Sequence, residues 1–283
     1  MEWERAKNYI LVFFLLLNIG LGIMLFIEDR RYALTGDQER LIRTVLNQNG
    51  IIIYELPLQR FSPMQQLDVT GFYYDTDALL EIFFPNPGLV TVSYQFGGEV
   101  FQYGNRHMSI TNGFIFFDDP DGFHHDSAGI LSEDWAVSLS DMFISSHFPD
   151  FILDGIIEFN DAIRIIYRQQ YSGRFVHSNF IEFLVTPIGI NQIEMQFGEI
   201  RGHSGTPVMI FSPDEALLTF VQRVRHMAQE APMTINFMDL VYFQEYVSDQ
   251  YYVYTAVPFY RIFTACGEGR PFLINAFTNV IID

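Results

Sequence analysis

This sequence contains little cysteine and few basic residues, and each shortage excludes a property. Cys266 is the single cysteine in 283 residues, so the chain cannot form an intramolecular disulfide bond. The chain carries 16 Lys and Arg against 34 Asp and Glu, which gives a formal net charge of -18. Nucleic-acid-binding proteins need clustered basic residues to neutralise phosphates, so we exclude nucleic acid as a partner.

Long apolar runs are also scarce, since one stretch alone has enough apolar residues in a row to cross a membrane. Residues 9–27, YILVFFLLLNIGLGIMLFI, contain no charge and reach about 28 Å as a helix, close to the roughly 30 Å of a bilayer core. A secretory signal peptide has an apolar run of about 7–15 residues and a small-residue cleavage site, and neither feature occurs here. We predict a cytoplasmic segment at 1–8 and an uncleaved transmembrane anchor at 9–27.

The residues that flank this run do not decide its orientation. Arg5 and Lys7 precede the run, and Arg30 and Arg31 follow it, so the positive-inside rule gives a tie. The acidic soluble part would be repelled by an anionic cytoplasmic leaflet. We therefore expect a single-pass protein of the cell membrane whose soluble C-terminal part is extracellular.

Three segments after the anchor carry helix start signals. Each begins with Ser or Thr, which can cap free N–H groups, and has acidic residues or Gln in its first turn. Each ends at an Asn-Gly pair or shortly before a proline. The predicted helices start at Thr35, Ser132 and Ser212, and they end at Asn49-Gly50, before Pro149 and before Pro232.

Segments rich in β-branched and aromatic residues lie between these helices, with turn residues separating them. Short turns imply antiparallel pairing. We predict an α+β fold in which the transmembrane helix is followed by two lobes of antiparallel β-sheet packed with helices, at 31–128 and 129–283. The predicted strands are 67–74, 88–94, 113–117, 155–159, 162–171, 175–185, 190–197, 233–247, 251–265 and 271–282.

Six potential metal ligands crowd into nine residues of the predicted first lobe. Carboxylates and imidazoles suit divalent cations, which makes a metal site conceivable. The spacing of a calcium loop is absent, however, and Pro-Asp-Gly within the segment is a turn signal. We interpret the segment as a solvated acidic turn, with a metal site as the alternative. The six residues are Asp118, Asp119, Asp121, His124, His125 and Asp126.

Two other segments approach catalytic motifs without matching them. Residues 202–206 read G-H-S-G-T, in which Thr206 replaces the last Gly of a nucleophile elbow, so we interpret Ser204 as part of a loop. Cys266 has no identifiable His partner, and we place it at a hairpin tip. We therefore assign no catalytic residue, and we expect no cofactor and no enzymatic activity.

The best local candidate for a functional contact lies in the anchor. Asn18 is a polar residue near the centre of the span, and Gly22 follows it one turn later on the same helix face. Small residues let helices approach closely, and an amide can hydrogen-bond across such a contact. We predict that this face contacts another membrane helix, and a plain anchor that tolerates one polar residue is the alternative.

Both ends of the sequence resemble the YycI family. The start, MEWERAKNYILVFFLLLN, is similar to the family's acid, Trp and basic residues ahead of an apolar span with a central Asn. Ser212 to Leu217 is similar to its Ser-x-x-Glu-Ala-Leu pattern. The closing segments 258–262 and 272–281 look like its last strands, and like those of PepSY-type domains, although Asn279 stands where the family has Gly.

The resemblance implies a non-enzymatic membrane regulator of low-GC Gram-positive bacteria. Together with the related protein YycH, such a regulator modulates the histidine kinase YycG (WalK) of the WalRK/YycFG two-component system, which controls cell-wall metabolism. Contacts between transmembrane helices carry the signal, so the expected partners are the kinase, a YycH-like protein and the membrane, in a homo- or heterodimer. The alternative is an anchored cell-envelope enzyme or inhibitor that uses residues 118–126.

Overall fold

A computed structural model gives the arrangement of most of the chain. The structure describes residues 2–31, 33–53, 62–71, 74–95, 97–123, 130–230, 232–244, 253–265 and 270–282. Within these ranges the fold is an N-terminal apolar helix followed by a large, mostly antiparallel mixed β-sheet with several helices, which confirms the α+β class. The α-helices among the described residues are α1 (Glu2–Arg31), α2 (Gly36–Gln48), α3 (Thr76–Phe83), α4 (Glu133–His147) and α5 (Pro213–Glu230).

The start signals predicted for α2, α4 and α5 are present as hydrogen bonds. Gln38 N donates to Thr35 Oγ1 over 3.3 Å, and Thr35 N donates back to Gln38 Oε1 over 2.9 Å, which completes a capping box. The Ser132 hydroxyl caps α4. At α5, Ser212 N and Ser212 Oγ both donate to Glu215 Oε2 over 2.8 Å. These local bonds satisfy groups that a helix start otherwise leaves unpaired.

Helix α3 is not among the predicted helices. Asp75 caps it by accepting hydrogen bonds from Asp77 N and Ala78 N, and the helix buries Leu79 and Phe83. A helix of eight residues makes little more than two turns, so its apolar spacing is too short to identify it by periodicity.

Most predicted strands are confirmed, and the largest differences lie in the first half of the sheet. Strands β1, β4, β5 and β11 are not predicted, and the segment predicted as strand from residue 88 begins with a 3₁₀ turn at Pro87–Leu89. The described strands are β1 (Ile51–Ile53), β2 (Met64–Thr70), β3 (Thr91–Gln95), β4 (Gly98–Tyr103), β5 (Arg106–Thr111), β6 (Phe114–Phe123), β7 (Phe151–Glu158), β8 (Ile163–Tyr171), β9 (Arg174–Thr186), β10 (Gly189–Gln196), β11 (Ile200–Val208), β12 (Met233–Gln244), β13 (Val253–Thr264), β14 (Phe272–Asn275) and β15 (Ile281–Ile282).

The chain divides into two compact units, and neither is continuous in sequence. Unit 1 comprises residues 1–64, 209–239 and 262–283, and unit 2 comprises residues 65–208 and 240–261. The position predicted for the boundary between the lobes, between residues 128 and 129, falls inside unit 2. Strands β12 and β13 each contribute residues to both units.

Unit 1 contains α1 and a small α+β core. Helices α2 and α5 contact each other, α2 contacts β1, and α5 contacts β14. Strand β1 pairs in parallel with β12, so that Ile51 lies opposite Met233. Phe220 of α5 meets Phe272 of β14 edge to face, with 5.1 Å between ring centroids. The burial of these apolar side chains holds the helices on the strands.

Unit 2 contains a core rich in aromatic side chains. Successive strands β3 to β6 form antiparallel pairs, as do β7 to β10, and β10 joins β6. Helix α4 contacts β7, β8 and β10. Phe83 stacks on Phe117 at 4.6 Å, and Phe143 meets Phe183 edge to face at 5.4 Å. This core covers one face of the sheet.

Candidate functional site

Helix α1 presents one segment that is long and apolar enough to span a membrane. Residues 7–24 have a mean hydropathy of 1.7, and none of them is buried against the rest of the protein. In water, so much exposed apolar surface would be unfavourable by roughly 25 cal/mol for each Å². The helix therefore fits a membrane-anchored protein with a β-rich soluble part.

The predicted contact face of α1 is exposed along its length. Asn18 Nδ2 donates to the Phe14 carbonyl oxygen one turn earlier, over 2.8 Å. An amide has two N–H groups and a carbonyl oxygen, so the second N–H and the oxygen retain their hydrogen-bonding capacity. A Cβ added at Gly22 would meet no atom within 4 Å, which leaves open space for a neighbouring backbone. Contact with another helix remains a prediction.

The interpretation of residues 118–126 as a solvated turn is wrong for Asp119, which is buried, whereas Asp121 is exposed as that interpretation expects. Asp118, Asp119 and Asp121 lie on β6, and the Asp119 carboxylate is fully buried with its Oδ2 atom 2.8 Å from Arg106 Nε. Asp118 Oδ1 accepts a hydrogen bond from Gln192 Nε2 over 3.1 Å. These carboxylates thus have structural partners across neighbouring strands.

The rest of this candidate metal cluster has no described geometry. His124, His125 and Asp126 lie outside the described residues. Across the part of the chain that the structure describes, no three His, Cys, Asp or Glu side chains converge to hold a metal ion. Asp121 Oδ2 instead accepts a hydrogen bond from Asn105 Nδ2 over 3.1 Å.

The segment that approaches a nucleophile elbow is a strand, so its interpretation as a loop is wrong. Residues 202–206 lie within β11, where Ser204 Oγ donates to Asp68 Oδ1 over 2.7 Å. His203 lies on the same strand, and its Nε2 atom is 3.5 Å from Ser172 Oγ. A nucleophile elbow requires a turn between a strand and a helix, which β11 does not provide. Cys266 lies outside the described residues.

Unit 2 contains a cavity of about 280 Å³ whose lining includes charged and polar side chains. Four strands supply its wall: β8, β9, the end of β10 and the end of β12. Side chains alternate across a strand, so Arg168, Phe180 and Glu182 lie on the sheet face opposite the core residues Tyr167 and Ile181. The lining residues are Arg168, His177, Ser178, Phe180, Glu182, Gln196, Phe243 and Gln244.

One β-bulge contributes residues to this cavity, and a second lies beside it. In β9, residue 180 pairs with Arg168 and residue 176 pairs with Gln169, so residues 177–179 leave the ladder and turn their side chains to new positions. Asn179 holds the bulge, because its Nδ2 atom donates to Gln169 Oε1 over 2.8 Å and to the Gly198 carbonyl oxygen over 2.9 Å. In β7, the register shifts at Asp154, which projects toward Arg168.

Asp154 binds two buried arginines beside the cavity. Arg261 of β13 makes a bidentate pair with it, through Nη1 to Oδ2 at 2.5 Å and Nη2 to Oδ1 at 2.8 Å. Arg168 Nε donates to Oδ2 over 2.8 Å, and Arg168 Nη1 donates to the His177 carbonyl oxygen. Only 1% of the Arg261 side chain and 7% of the Arg168 side chain are exposed. Buried charges are tolerated where they are paired and hydrogen-bonded in this way.

The ionisable groups at the cavity have shifted pKa values. Burial alone would raise the pKa of Asp154, but hydrogen bonds and positive charge from Arg261 and Arg168 hold it below its ordinary value. Burial, with the same two arginines, lowers the pKa of His177 well below its ordinary value and keeps the imidazole neutral. Burial raises the pKa of Glu182, against the opposing effect of Arg168. Burial therefore disfavours the charged forms of His177 and Glu182, whereas the two arginines favour the charged form of Asp154.

Sequence reasoning missed this cavity. The available signals were Arg168, which interrupts the apolar pattern of a strand, and the polar triplet His177-Ser178-Asn179 in the middle of another. A charged residue on a strand face is ordinarily solvated. The partners that make these residues a site, Asp154 and Arg261, are 107 residues apart in sequence.

Comparisons with known proteins support the fold and nothing more specific. No protein-family model matches this chain, and no curated protein sequence matches it. A crystal structure of an uncharacterized protein from Eubacterium rectale is similar over 82% of this chain and 90% of that chain, with a TM-score of 0.53 and 12% identity. At this identity the likeness concerns the fold alone.

A second solved structure is more distant. The C-terminal domain of YpeB from Bacillus megaterium is similar over 89% of this chain and 97% of that chain, with a TM-score of 0.40 and 10% identity. A likeness at that TM-score carries no argument. None of these comparisons identifies the YycI family, so the membership suggested by the two ends of the sequence stays a prediction.

Proposed function

We propose that this chain is a non-catalytic, membrane-anchored extracytoplasmic regulator of a histidine kinase of the YycG/WalK type. A YycH-like protein is its second partner, and α1 makes the regulatory contact within the membrane. The soluble part acts outside the cell. There, the anionic cytoplasmic leaflet does not repel its acidic residues, which give the chain a net charge of -18.

The observation that carries this proposal is the unburied apolar helix with one polar face. Residues 7–24 of α1 have no partner within the described protein, and a membrane supplies the apolar surroundings that they need. Asn18 and Gly22 together offer a hydrogen-bonding group and close backbone approach, which are the features that favour contacts between membrane helices.

We assign no catalytic role to Ser204 or Asp119, because each is bonded to a group that does not support catalysis. Ser204 donates its hydroxyl to Asp68 rather than to a histidine, and Asp119 is buried beside Arg106. A nucleophile requires a base within hydrogen-bond reach, and a general acid or base requires access to substrate. For the alternative enzyme or inhibitor, the described part of residues 118–126 offers carboxylates that already have structural partners.

Co-purification from native membranes tests the proposal. The affinity-tagged chain is cross-linked in cells and purified, and co-purifying proteins are identified by mass spectrometry. We expect a histidine kinase and a YycH-like protein with the natural chain. A matched chain whose residues 9–27 are replaced by a foreign span of similar length should lose the kinase. Equal recovery with both chains would place the contact elsewhere, and recovery of no kinase would remove the proposal.

A further inference from the structure

We propose that the cavity of unit 2 binds a small zwitterion of the α-amino acid type, whose carboxylate pairs with Arg168 and whose ammonium group pairs with Glu182. This site is independent of α1, and it adds a soluble ligand to the function proposed above. The inference rests on the fixed positions of the two charged groups, on their charge balance and on the other groups that line the cavity.

Arg168 is held in place by its neighbours and still has donors to offer. Its Nε atom binds Asp154 and its Nη1 atom binds the His177 carbonyl oxygen. Its Nη2 atom lies 3.9 Å from Glu182 Oε1. That separation is too long for a hydrogen bond. A guanidinium group fixed in this way is prepared to bind a carboxylate without loss of side-chain freedom.

Charge balance favours a ligand that carries both signs. Arg168 and Arg261 bring two positive charges to the cluster, and Asp154 and Glu182 bring two negative charges. A simple anion would meet Glu182 and unbalance the cluster, and a simple cation would meet Arg168. A zwitterion satisfies both groups and leaves the net charge unchanged. Burial already raises the pKa of Glu182, and an ammonium group beside it would stabilise its charged form.

The other lining groups suit the remainder of such a molecule. Ser178 Oγ is buried and makes no hydrogen bond within the described residues, although a buried hydroxyl group ordinarily has a partner. Phe180 and Phe243 provide apolar walls, and Gln196 and Gln244 provide amides. A volume of about 280 Å³ corresponds to roughly nine waters at about 30 Å³ each, which suits a molecule of amino-acid size.

The first test is binding to the purified full chain in detergent micelles. Ligand-detected NMR is recorded with each standard L-amino acid at millimolar concentration, and Kd values are measured for L-leucine and L-phenylalanine. The matched probes are their decarboxylated amines, 3-methylbutylamine and phenethylamine, and their deaminated acids, 4-methylpentanoate and 3-phenylpropanoate. We expect saturable binding of at least one amino acid, about 10-fold or more tighter than binding of its amine or acid.

Substitution of Glu182 tests the proposed orientation. Glu182→Gln keeps the size of the side chain and removes its charge, so it should weaken amino-acid binding about 10- to 100-fold while the deaminated acid binds at least as tightly as before. The control is Glu158→Gln, an exposed glutamate at the end of β7 that does not line the cavity. The Glu158→Gln variant should bind the amino acid with the affinity of the natural chain. Circular dichroism checks that both variants are folded.

Three results would overturn the proposal. They are no saturable binding of any standard amino acid, equal binding of an amino acid and its deaminated acid, and unchanged amino-acid affinity in a folded Glu182→Gln variant. The measurement needs no kinase. A negative result would therefore remove the ligand site and leave the regulator proposal to its own co-purification test.

Discussion

Arg261 is the largest side chain that is completely buried among the described residues, and it makes a bidentate pair with the carboxylate of Asp154. Taking charges out of water is unfavourable, so a buried ion pair adds little net stability compared with an apolar replacement. Removal of one partner is strongly destabilising, because the remaining charge is then buried and uncompensated. Asp154 serves two arginines at once, so this carboxylate is the most sensitive member of the cluster.

Asp154→Asn should lower the free energy of unfolding by about 3–5 kcal/mol at neutral pH, because it leaves Arg168 and Arg261 without their shared charge. The arginines lower the pKa of Asp154 in the folded state, so its stabilising contribution is present above the unfolded pKa of about 3.9. The contribution is lost as the pH falls through the lower folded value. The difference between natural chain and variant should therefore shrink in strong acid.

Urea unfolding followed by circular dichroism, at neutral pH and at a series of acidic pH values, measures this difference. Asp161→Asn is the matched control, since Asp161 is an exposed aspartate of the same unit, and it should change the free energy of unfolding by less than about 0.5 kcal/mol. A difference for Asp154→Asn that stayed constant from neutral to strongly acidic pH would show that charge is not its cause.

Asn279 occupies a left-handed backbone conformation, with φ at 56°. Asn is one of the few non-glycine residues that adopts this region readily, which explains why it can stand where the resembling family has Gly. Asn279→Ala should lower the free energy of unfolding by roughly 1–2 kcal/mol, whereas Asn279→Gly should change it much less. Chemical denaturation of both variants provides the comparison. Equal losses would indicate that the side-chain contact with Glu215, at 3.4 Å, matters more than the backbone.

At the scale of the element, sequence signals confined to a few neighbouring residues predict the starts of helices best. The caps at Thr35 and Ser132 locate α2 and α4 because a helix start is decided by groups three residues apart. Asp118 to Gly122 carries a turn signature, but the chain does not reverse there: the register of β6 against β10 shifts between Asp118 and Phe123, and the side chain of Asp119 is buried.

The cavity of unit 2 could not be predicted from the sequence, because it also depends on contacts between distant strands. Its lining depends on the bulge at residues 177–179, and the bulge at Asp154 positions the partner of Arg168. A bulge is a property of the register between two strands. Arg168 alone resembles a solvated strand residue. Its role follows from partners that tertiary structure brings from distant strands.

The face of α1 that carries Asn18 and Gly22 gives a testable prediction. Gly22→Leu should block close approach of a partner helix, and Asn18→Leu should remove an interhelical hydrogen bond that contributes about 0.5–2 kcal/mol. Both variants should still insert, because Leu favours the bilayer core. Transcription of the kinase-controlled genes should therefore change, while immunoblots of the membrane fraction show the natural amount of protein.

Leu16→Ile and Leu17→Ile are the controls for that experiment, since they lie off the Asn18–Gly22 face and preserve apolar volume. Each should leave transcription unchanged. Normal output from both Gly22→Leu and Asn18→Leu would mean that α1 serves only as a tether, and the regulatory contact would then belong to the soluble units.

At the scale of the whole molecule, the order of the chain differs from the order of the compact units. Unit 1 collects residues 1–64, 209–239 and 262–283, and unit 2 takes the two intervening segments. Local signals find helices and strands, but they carry no information about which distant segments join one core. The sequence therefore predicts the α+β class, whereas the structure is needed to show which segments form each unit.

Topology is the prediction that concerns the molecule as a whole. With α1 crossing the membrane once, a reporter enzyme fused after Asp283 should be active only if it folds outside the cytoplasm, and a second reporter that works only inside should be silent at the same position. The acidic charge of -18 favours this orientation, because an anionic cytoplasmic leaflet would repel the soluble part. Protease added to intact protoplasts should digest the soluble part and spare a cytoplasmic control protein, while lysed protoplasts should lose both. A chain that resists protease until lysis would have its soluble units in the cytoplasm, and an extracytoplasmic regulator could not then be its role.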